Sequence, residues 1–318
     1  MSTFTFQDNV RSPANTQEIE FMTQVQSTDH ASRRIEESLE RIREELPQMA
    51  GLIDAFKELF VEQAVFRAEL PRMDCSEISI DPVKYVQGIP ILGKETFAVP
   101  QESLKVAGMR LIPTMEKGFP NIIEQLKVVS RLLGGPDPWP ADFLEAIRLN
   151  DDHGIEKLGE RLNIEPEILK FVFLQLSRPF AQKHAESMPP LPEHLQWTKG
   201  YCPLCGSWPE LSFLEGKEGY RRLRCPFCGH EWNFMRTQCP FCENTDQDKQ
   251  EFIFFEHRDF ERAELCYECM KYCEHRSQKS CWRDSTRNSC PGVGVSGRAG
   301  PGEEFFSGRR MCLERLIA

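Results

Sequence analysis

The chain has 318 residues, 40% of them hydrophobic, and a formal net charge of −10. That length can bury one large core or two smaller ones. The acidic balance argues against a dedicated nucleic-acid binder, which would carry a basic face, and no stretch approaches the ~18 apolar residues of a membrane span.

Residues 1–13 are polar and expected to be disordered. Met1-Ser-Thr-Phe-Thr-Phe6 has neither a basic n-region nor a long apolar segment, so no secretory signal is read there. A helix is predicted from about Asn15 to Leu46. Ile35, Leu39, Ile42 and Leu46 recur at helical spacing, while Glu36, Glu37, Glu40, Arg41, Arg43 and Glu44 fill the solvated face. Pro47 ends it. The next stripe, Leu52, Ile53, Phe56, Leu59, Phe60 and Ala64, runs to about Leu70.

Residues 71–100 are punctuated by prolines and contain Gly88-Ile-Pro-Ile-Leu-Gly93, which reads as an ordered loop crossing apolar surface. Helical patterns return at 100–117 and 120–134, and Gly134-Gly-Pro-Asp-Pro138 breaks the chain. Short helices fit 140–149 and 151–162. A longer apolar helix fits 165–187, with Leu169, Phe171, Val172, Phe173, Leu174 and Leu176 as core. Residues 14–190 therefore read as an all-α domain, and Met188-Pro-Pro-Leu-Pro192 as a stiff junction.

Beyond Gly200 the period changes. Leu211, Phe213 and Leu223, and later Phe252, Ile253, Phe254 and Phe255, are β-prone runs suited to short hairpins. The fold class expected is α+β, a helical domain followed by two small modules at 196–237 and 238–273. The tail, 274–318, is rich in Arg, Ser and Gly and its composition predicts disorder.

Both modules are built on cysteine. Cys202/Cys205, Cys225/Cys228, Cys239/Cys242 and Cys266/Cys269 form four Cys-x-x-Cys pairs, separated by 19, 10 and 23 residues. Repeated at such spacing, these pairs read as metal sites. Two long gaps around a short one point to two tandem four-cysteine sites, each offering a tetrahedron of thiolates to zinc or a single iron. One tight turn places both sulfurs of a pair on one ion. A hairpin then brings the second turn to the ion's far side. In Cys202-Pro-Leu-Cys-Gly206 and Cys225-Pro-Phe-Cys-Gly229, proline pre-sets the turn and glycine tolerates positive φ, so that backbone N–H groups can point at sulfur. Site two carries Glu243 and Met270 where the glycine would stand, and is expected to be less regular.

A closed four-cysteine site leaves no position for substrate and is read as structural, with a one-electron iron site as the other metal reading. A thioredoxin-like dithiol would need a βαβ pattern, which does not surround any pair. A disulfide scaffold would be dense in cysteine throughout, yet residues 1–200 contain only Cys75. The compartment expected is a reducing cytoplasm. His230, His257 and His275 read as surface or hairpin residues, Cys273 as a spare thiol and Cys75 as a small buried hydrophobe. Arg221, Arg222, Arg224 and Arg236 either dock an acidic partner or pair with local glutamates.

The metal region resembles the formate dehydrogenase accessory protein family, FdhE. The matching residues are Gly200-Tyr-Cys-Pro-Leu-Cys-Gly-Ser-Trp-Pro209, Gly219-Tyr-Arg-Arg-Leu-Arg-Cys-Pro-Phe-Cys228, Glu231-Trp232, Arg236, the Cys239/Cys242 pair and Ala263-Glu-Leu-Cys266-x-x-Cys269-x-x-Tyr272. The resemblance is sharp over about 75 residues and looser through Asp81-Pro82 and Gly88-Ile-Pro90. It implies a cytoplasmic maturation factor with a helical N-terminal domain and two rubredoxin-like modules, iron being the family's reported type of metal. Such a protein binds the molybdenum- or tungsten-containing catalytic subunit of formate dehydrogenase and is not itself an enzyme. A homodimer is left open. From Glu274 onward the family pattern stops, which suggests a tail read out of frame or from a truncated gene. The competing functions are a rubredoxin-type electron-transfer protein and a nucleic-acid-binding zinc ribbon; the acidic balance speaks against the second.

Overall fold

The computed structural model describes residues 13–76, 78–92, 99–135, 152–191, 195–216, 218–255 and 258–277. Apolar residues at helical spacing organise the first half as expected. Helix α1 spans Pro13–Glu45 and stops at Leu46, and Pro47 opens a 3-10 turn, Pro47–Met49. Helix α2 (Ala50–Glu69) follows directly and buries Ile53, Phe56, Leu59, Phe60 and Ala64. Helices α4 (Gln101–Gly118), α5 (Ile123–Gly134), α6 (Asp152–Leu162) and α7 (Pro166–Ser187) complete the set, with α2 packed against α1, α4 and α7. One continuous core results, running from Ile35 and Leu39 through Leu111, Met115, Leu126 and Val129 to Leu169, Val172 and Leu176. Phe119 sits at its centre, edge-on to Phe56 at 4.8 Å and to Phe171 at 5.2 Å. The helix expected at 140–149 and the polar start at 1–12 lie outside the described residues.

The proline-punctuated segment holds more structure than a loop. A short helix α3, Pro82–Val86, forms there because Asp81 caps it, its side chain accepting from the N–H groups of Val83 (2.9 Å) and Lys84 (3.2 Å). Pro82 occupies the first helical position, where a missing N–H costs nothing. Tyr85 points inward and is buried. The chain then crosses to the cysteine region: Ile91 and Leu92 donate backbone N–H bonds of 2.9 Å to the carbonyls of Pro203 and Leu204. The Tyr201 hydroxyl donates to the Gly88 carbonyl at 2.7 Å. These contacts fasten the helical domain to the first knuckle. A second core forms around them, uniting Tyr85, Leu92 and Ala181 with Trp197, Cys202, Leu204, Cys225, Cys228 and Trp232.

The strands are β1 (Leu211–Glu215), β2 (Tyr220–Arg224), β3 (Glu231–Asn233), β4 (Gln250–Phe255), β5 (Arg258–Cys266) and β6 (Lys271–Ser277). They do not stay as separate hairpins. They form one six-stranded sheet in the order β3-β2-β1-β6-β5-β4. The joint is the parallel pairing of β1 with β6, with Ser212 opposite His275. Strand β6 thus runs past position 273, where the family pattern was seen to stop. Glu274, His275 and Arg276 pair with Leu211, Ser212 and Phe213 on one side and with Ala263, Arg262 and Glu261 on the other. Pairing on both edges overrides the polar composition of this stretch, since a central strand satisfies all its backbone groups. Residues 278–318 lie outside the described residues. Among the described residues, no helix is long and apolar enough to cross a membrane.

Candidate metal centres

The four Cys-x-x-Cys pairs converge two by two. The sulfurs of Cys202, Cys205, Cys225 and Cys228 lie within 4.8 Å of one another, and so do those of Cys239, Cys242, Cys266 and Cys269. The short separations run between knuckles: Cys202 to Cys228 is 3.6 Å and Cys205 to Cys225 is 3.4 Å in site one. In site two Cys239 to Cys269 is 3.7 Å and Cys242 to Cys266 is 3.6 Å. A tetrahedron with metal–sulfur bonds of about 2.3 Å has edges of roughly 3.8 Å, so these groups are close to the size an ion requires. All ten cysteines among the described residues are free of disulfides.

The knuckles are built alike. The residue after each second cysteine donates its N–H to the carbonyl of the first: Gly206 to Cys202 (2.9 Å), Gly229 to Cys225 (3.1 Å), Glu243 to Cys239 (3.0 Å) and Met270 to Cys266 (2.8 Å). Those four residues have φ of 76°, 74°, 61° and 55°. Glycine takes this conformation freely. Glu243 and Met270 take it at an intrinsic cost of roughly 1–2 kcal/mol each, so site two keeps the geometry without the glycines. The expectation of a less regular site two is corrected on this point. Its difference lies in exposure: Cys202, Cys225 and Cys228 are buried, whereas Cys242 is exposed.

The donor set suits a soft cation. Burial pushes the Cys202 and Cys228 thiols well above their ordinary value. Burial also works against Cys205, yet hydrogen bonds from the Cys202, Cys225 and Cys228 sulfurs and from Ser207 bring it well below. In site two burial raises Cys239, and raises Cys269 to about 11; against its own burial, Cys266 is lowered by the backbone N–H groups of Cys269 and Glu268. Four crowded sulfurs with one favoured as thiolate form an arrangement that a divalent thiophile completes. Further polar groups face the sulfurs: the Cys228 N–H at 3.4 Å from Cys225, the Ser207 hydroxyl at 3.4 Å from Cys205 and the Asn244 amide at 3.8 Å from Cys266. Such groups withdraw charge from thiolates. With four sulfurs filling each group, the sites are closed to substrate coordination.

A second cluster was not read from the sequence. On the seam between β1, β2, β5 and β6, Arg221 pairs with Glu264; their side chains are only 2% and 11% exposed. Arg262 reaches the same carboxylate at 3.0 Å. His275 Nδ1 lies 2.7 Å from the Ser212 hydroxyl and 3.3 Å from Glu264. The signal available was alternation: Arg221 and Leu223 share the buried face of β2, while Tyr220 points out. Arg222 and Arg224 pair with Glu215 (3.0 Å) and Glu231 (3.7 Å), so three of the four arginines engage local glutamates, and Arg236 is exposed. Cys273 is buried, its thiol pushed up to about 12 by that burial. His257 lies outside the described residues.

His275 is buried rather than superficial, and burial lowers its pKa to about 4; His230 is lowered to about 4 for the same reason. Both are neutral in the fold and would protonate in the unfolded chain near 6.5. Their contribution to stability is therefore complete above about pH 6.5 and is lost as the pH falls toward 4. The sheet region should lose on the order of 3 kcal/mol per histidine across that window, and His275→Gln should flatten the pH profile of urea midpoints. An unchanged profile in that variant would assign the acid loss elsewhere.

A helical domain joined to one sheet that carries two closed four-cysteine groups defines a metal-binding protein of tandem rubredoxin-like knuckles. Known proteins resemble parts of it. Residues 201–236 fit the family model described as "FdhE, central domain". The chain is 33% identical over 160 residues to the protein named "Protein FdhE homolog" from Aquifex aeolicus, covering 43% of this chain and 56% of that one. It is 35% identical over 81 residues to a like-named protein of Haemophilus influenzae, covering 25% and 26%. The chain thus spans about half the length of the first of these curated relatives and about a quarter of the second. The solved structure of the FdhE protein from Pseudomonas aeruginosa superposes with a TM-score of 0.48 at 19% identity, over 78% of this chain and 82% of that one. The chain is therefore similar to FdhE proteins, and the family model fits its residues 201–236.

Proposed function

We propose that this protein is a cytoplasmic accessory factor for the maturation of formate dehydrogenase, acting by binding the catalytic subunit and turning over no substrate. The observation that carries this reading is the pairing of two closed four-sulfur groups on one sheet, the first of them within residues 201–236, which match the FdhE central domain. Residues 14–190 would be the helical domain, with modules at 196–237 and 238–273. The metal ligands would be Cys202, Cys205, Cys225 and Cys228 for one ion, iron or zinc, and Cys239, Cys242, Cys266 and Cys269 for the other. Each ion would lock two knuckles together and so stiffen the sheet as a platform for the partner. Pull-down with a formate dehydrogenase catalytic subunit should succeed, and should weaken at least about tenfold when Cys225 and Cys228 are both changed to Ala. Equal recovery by the double variant would remove the metal module as the docking element.

A further inference from the structure

The two four-cysteine groups do not stand on equal foundations. Site one lies inside a core that includes Tyr85, Leu92 and Ala181 of the helical domain. Among the described residues, the cluster beside site two is Ala263, Leu265 and Tyr272, with Ile253 against them. Much of what packs on the Cys239–Cys242 knuckle comes from the first module. Gly200 lies so close that a Cβ there would meet the Pro240 carbonyl oxygen at 1.8 Å. Trp208, three residues after Cys205, packs on Phe241 with ring centroids 5.8 Å apart. Lys271, just after the last knuckle, sets its Nζ 5.5 Å from the Trp208 centroid and 5.4 Å from that of Phe241. Arg221 donates to the Gln238 carbonyl at 2.8 Å, and Lys199 pairs with Glu243 at 2.8 Å. Four residues of the first module, with Lys271 after the last knuckle, thus bracket residues 238–243.

We infer that the second metal site is assembled on the first, with Gly200, Trp208 and Arg221 as positioning residues that hold the Cys239–Cys242 knuckle ready for its ion. This rests on the reading of both groups as metal sites. A loaded first site fixes the turn that precedes Trp208 and the strand that carries Arg221. The second site then binds without having to order its own knuckle, which raises its affinity. Linkage makes the effect mutual: an ion in site two tightens site one by the same factor.

Anaerobic titration of the full chain with Co²⁺, read by thiolate-to-cobalt absorption and by zinc competition, tests it. The unaltered protein should take two equivalents. In Trp208→Ala and in Gly200→Ala the first equivalent should bind within twofold of its original constant and the second about tenfold more weakly, inside the usual 5–150-fold range of coupling. Trp208→Phe should restore the second constant. In Cys225→Ser/Cys228→Ser the one remaining equivalent should be weakened by at least the same factor. A second constant within twofold of the original in Trp208→Ala and in the cysteine variant would make the sites independent and overturn the inference. Loss of both equivalents together in Trp208→Ala would also overturn it, since the tryptophan would then serve the fold at large. An unaltered protein that takes up no stoichiometric Co²⁺ would remove the metal reading itself, a result distinct from either.

Discussion

Stripping the metal from the full chain with a chelator under reducing conditions should unfold residues 196–277 and release residues 78–92 with them. Structural zinc in small modules contributes about 10–16 kcal/mol of apparent binding energy at neutral pH. The sheet has little else to replace it, for among the described residues the apolar cluster of its second half has three buried members. The release of 78–92 follows from three bonds to the first knuckle: the Ile91 and Leu92 N–H groups donate to Pro203 and Leu204, and the Tyr201 hydroxyl donates to the Gly88 carbonyl. Tyr85 adds to it, since its ring packs on Trp197 at 4.9 Å. The helical core through Phe56, Leu111, Phe119 and Leu169 shares none of these residues and should remain folded. Hydrogen exchange resolved by segment checks this. Protection at 78–92 that survives chelation while 200–270 exchanges freely would show that α3 and the segment after it stand on the helical domain alone.

Changing Glu264 to Ala should destabilise the sheet region by about 3–5 kcal/mol. Removing one partner of a buried ion pair leaves the other charge without compensation, and Glu264 serves Arg221, Arg262 and His275 together. The Arg221 guanidinium is buried against the Gln238 carbonyl and the Phe234 ring. Arg221→Met combined with Glu264→Leu should recover much of the loss, because apolar groups of similar volume remove the charge as well as the pair. Urea unfolding of the metal-loaded protein, followed by tryptophan fluorescence, measures both variants. If the double variant is as unstable as Glu264→Ala alone, the destabilisation comes from lost packing rather than from a stranded charge.

Much of the helical half was legible because its signal is local. Ile35, Leu39, Leu59, Leu169 and Val172 mark buried faces by spacing alone, and Pro47 marks an end. The pairing of the eight cysteines into two groups was legible for a related reason, as gap lengths restrict which turns can face one ion. Less visible were features decided by distant partners. Helix α3 is five residues long, too short for periodicity to reveal, although Asp81-Pro82 is a helix-start signal in plain sight. The joint between β1 and β6 brings together residues some sixty positions apart, and nothing in Lys271–Ser277 announces a central strand. His275 and Glu264 look like surface residues until that joint places them beside Arg221 and Ser212. Glu243 and Met270 were read as marks of an irregular site. They adopt the same left-handed turn as Gly206 and Gly229, because the hydrogen bonds of each knuckle outweigh the local strain.

Metal analysis of the full chain, purified anaerobically and paired with a thiol count, tests the central claim most directly. Two ions per chain, of iron or zinc, with the eight cysteines of the knuckles shielded from alkylation until a chelator is added, is the expected result. A folded sheet region that contains no metal, or one whose knuckle cysteines are joined as disulfides, would contradict it.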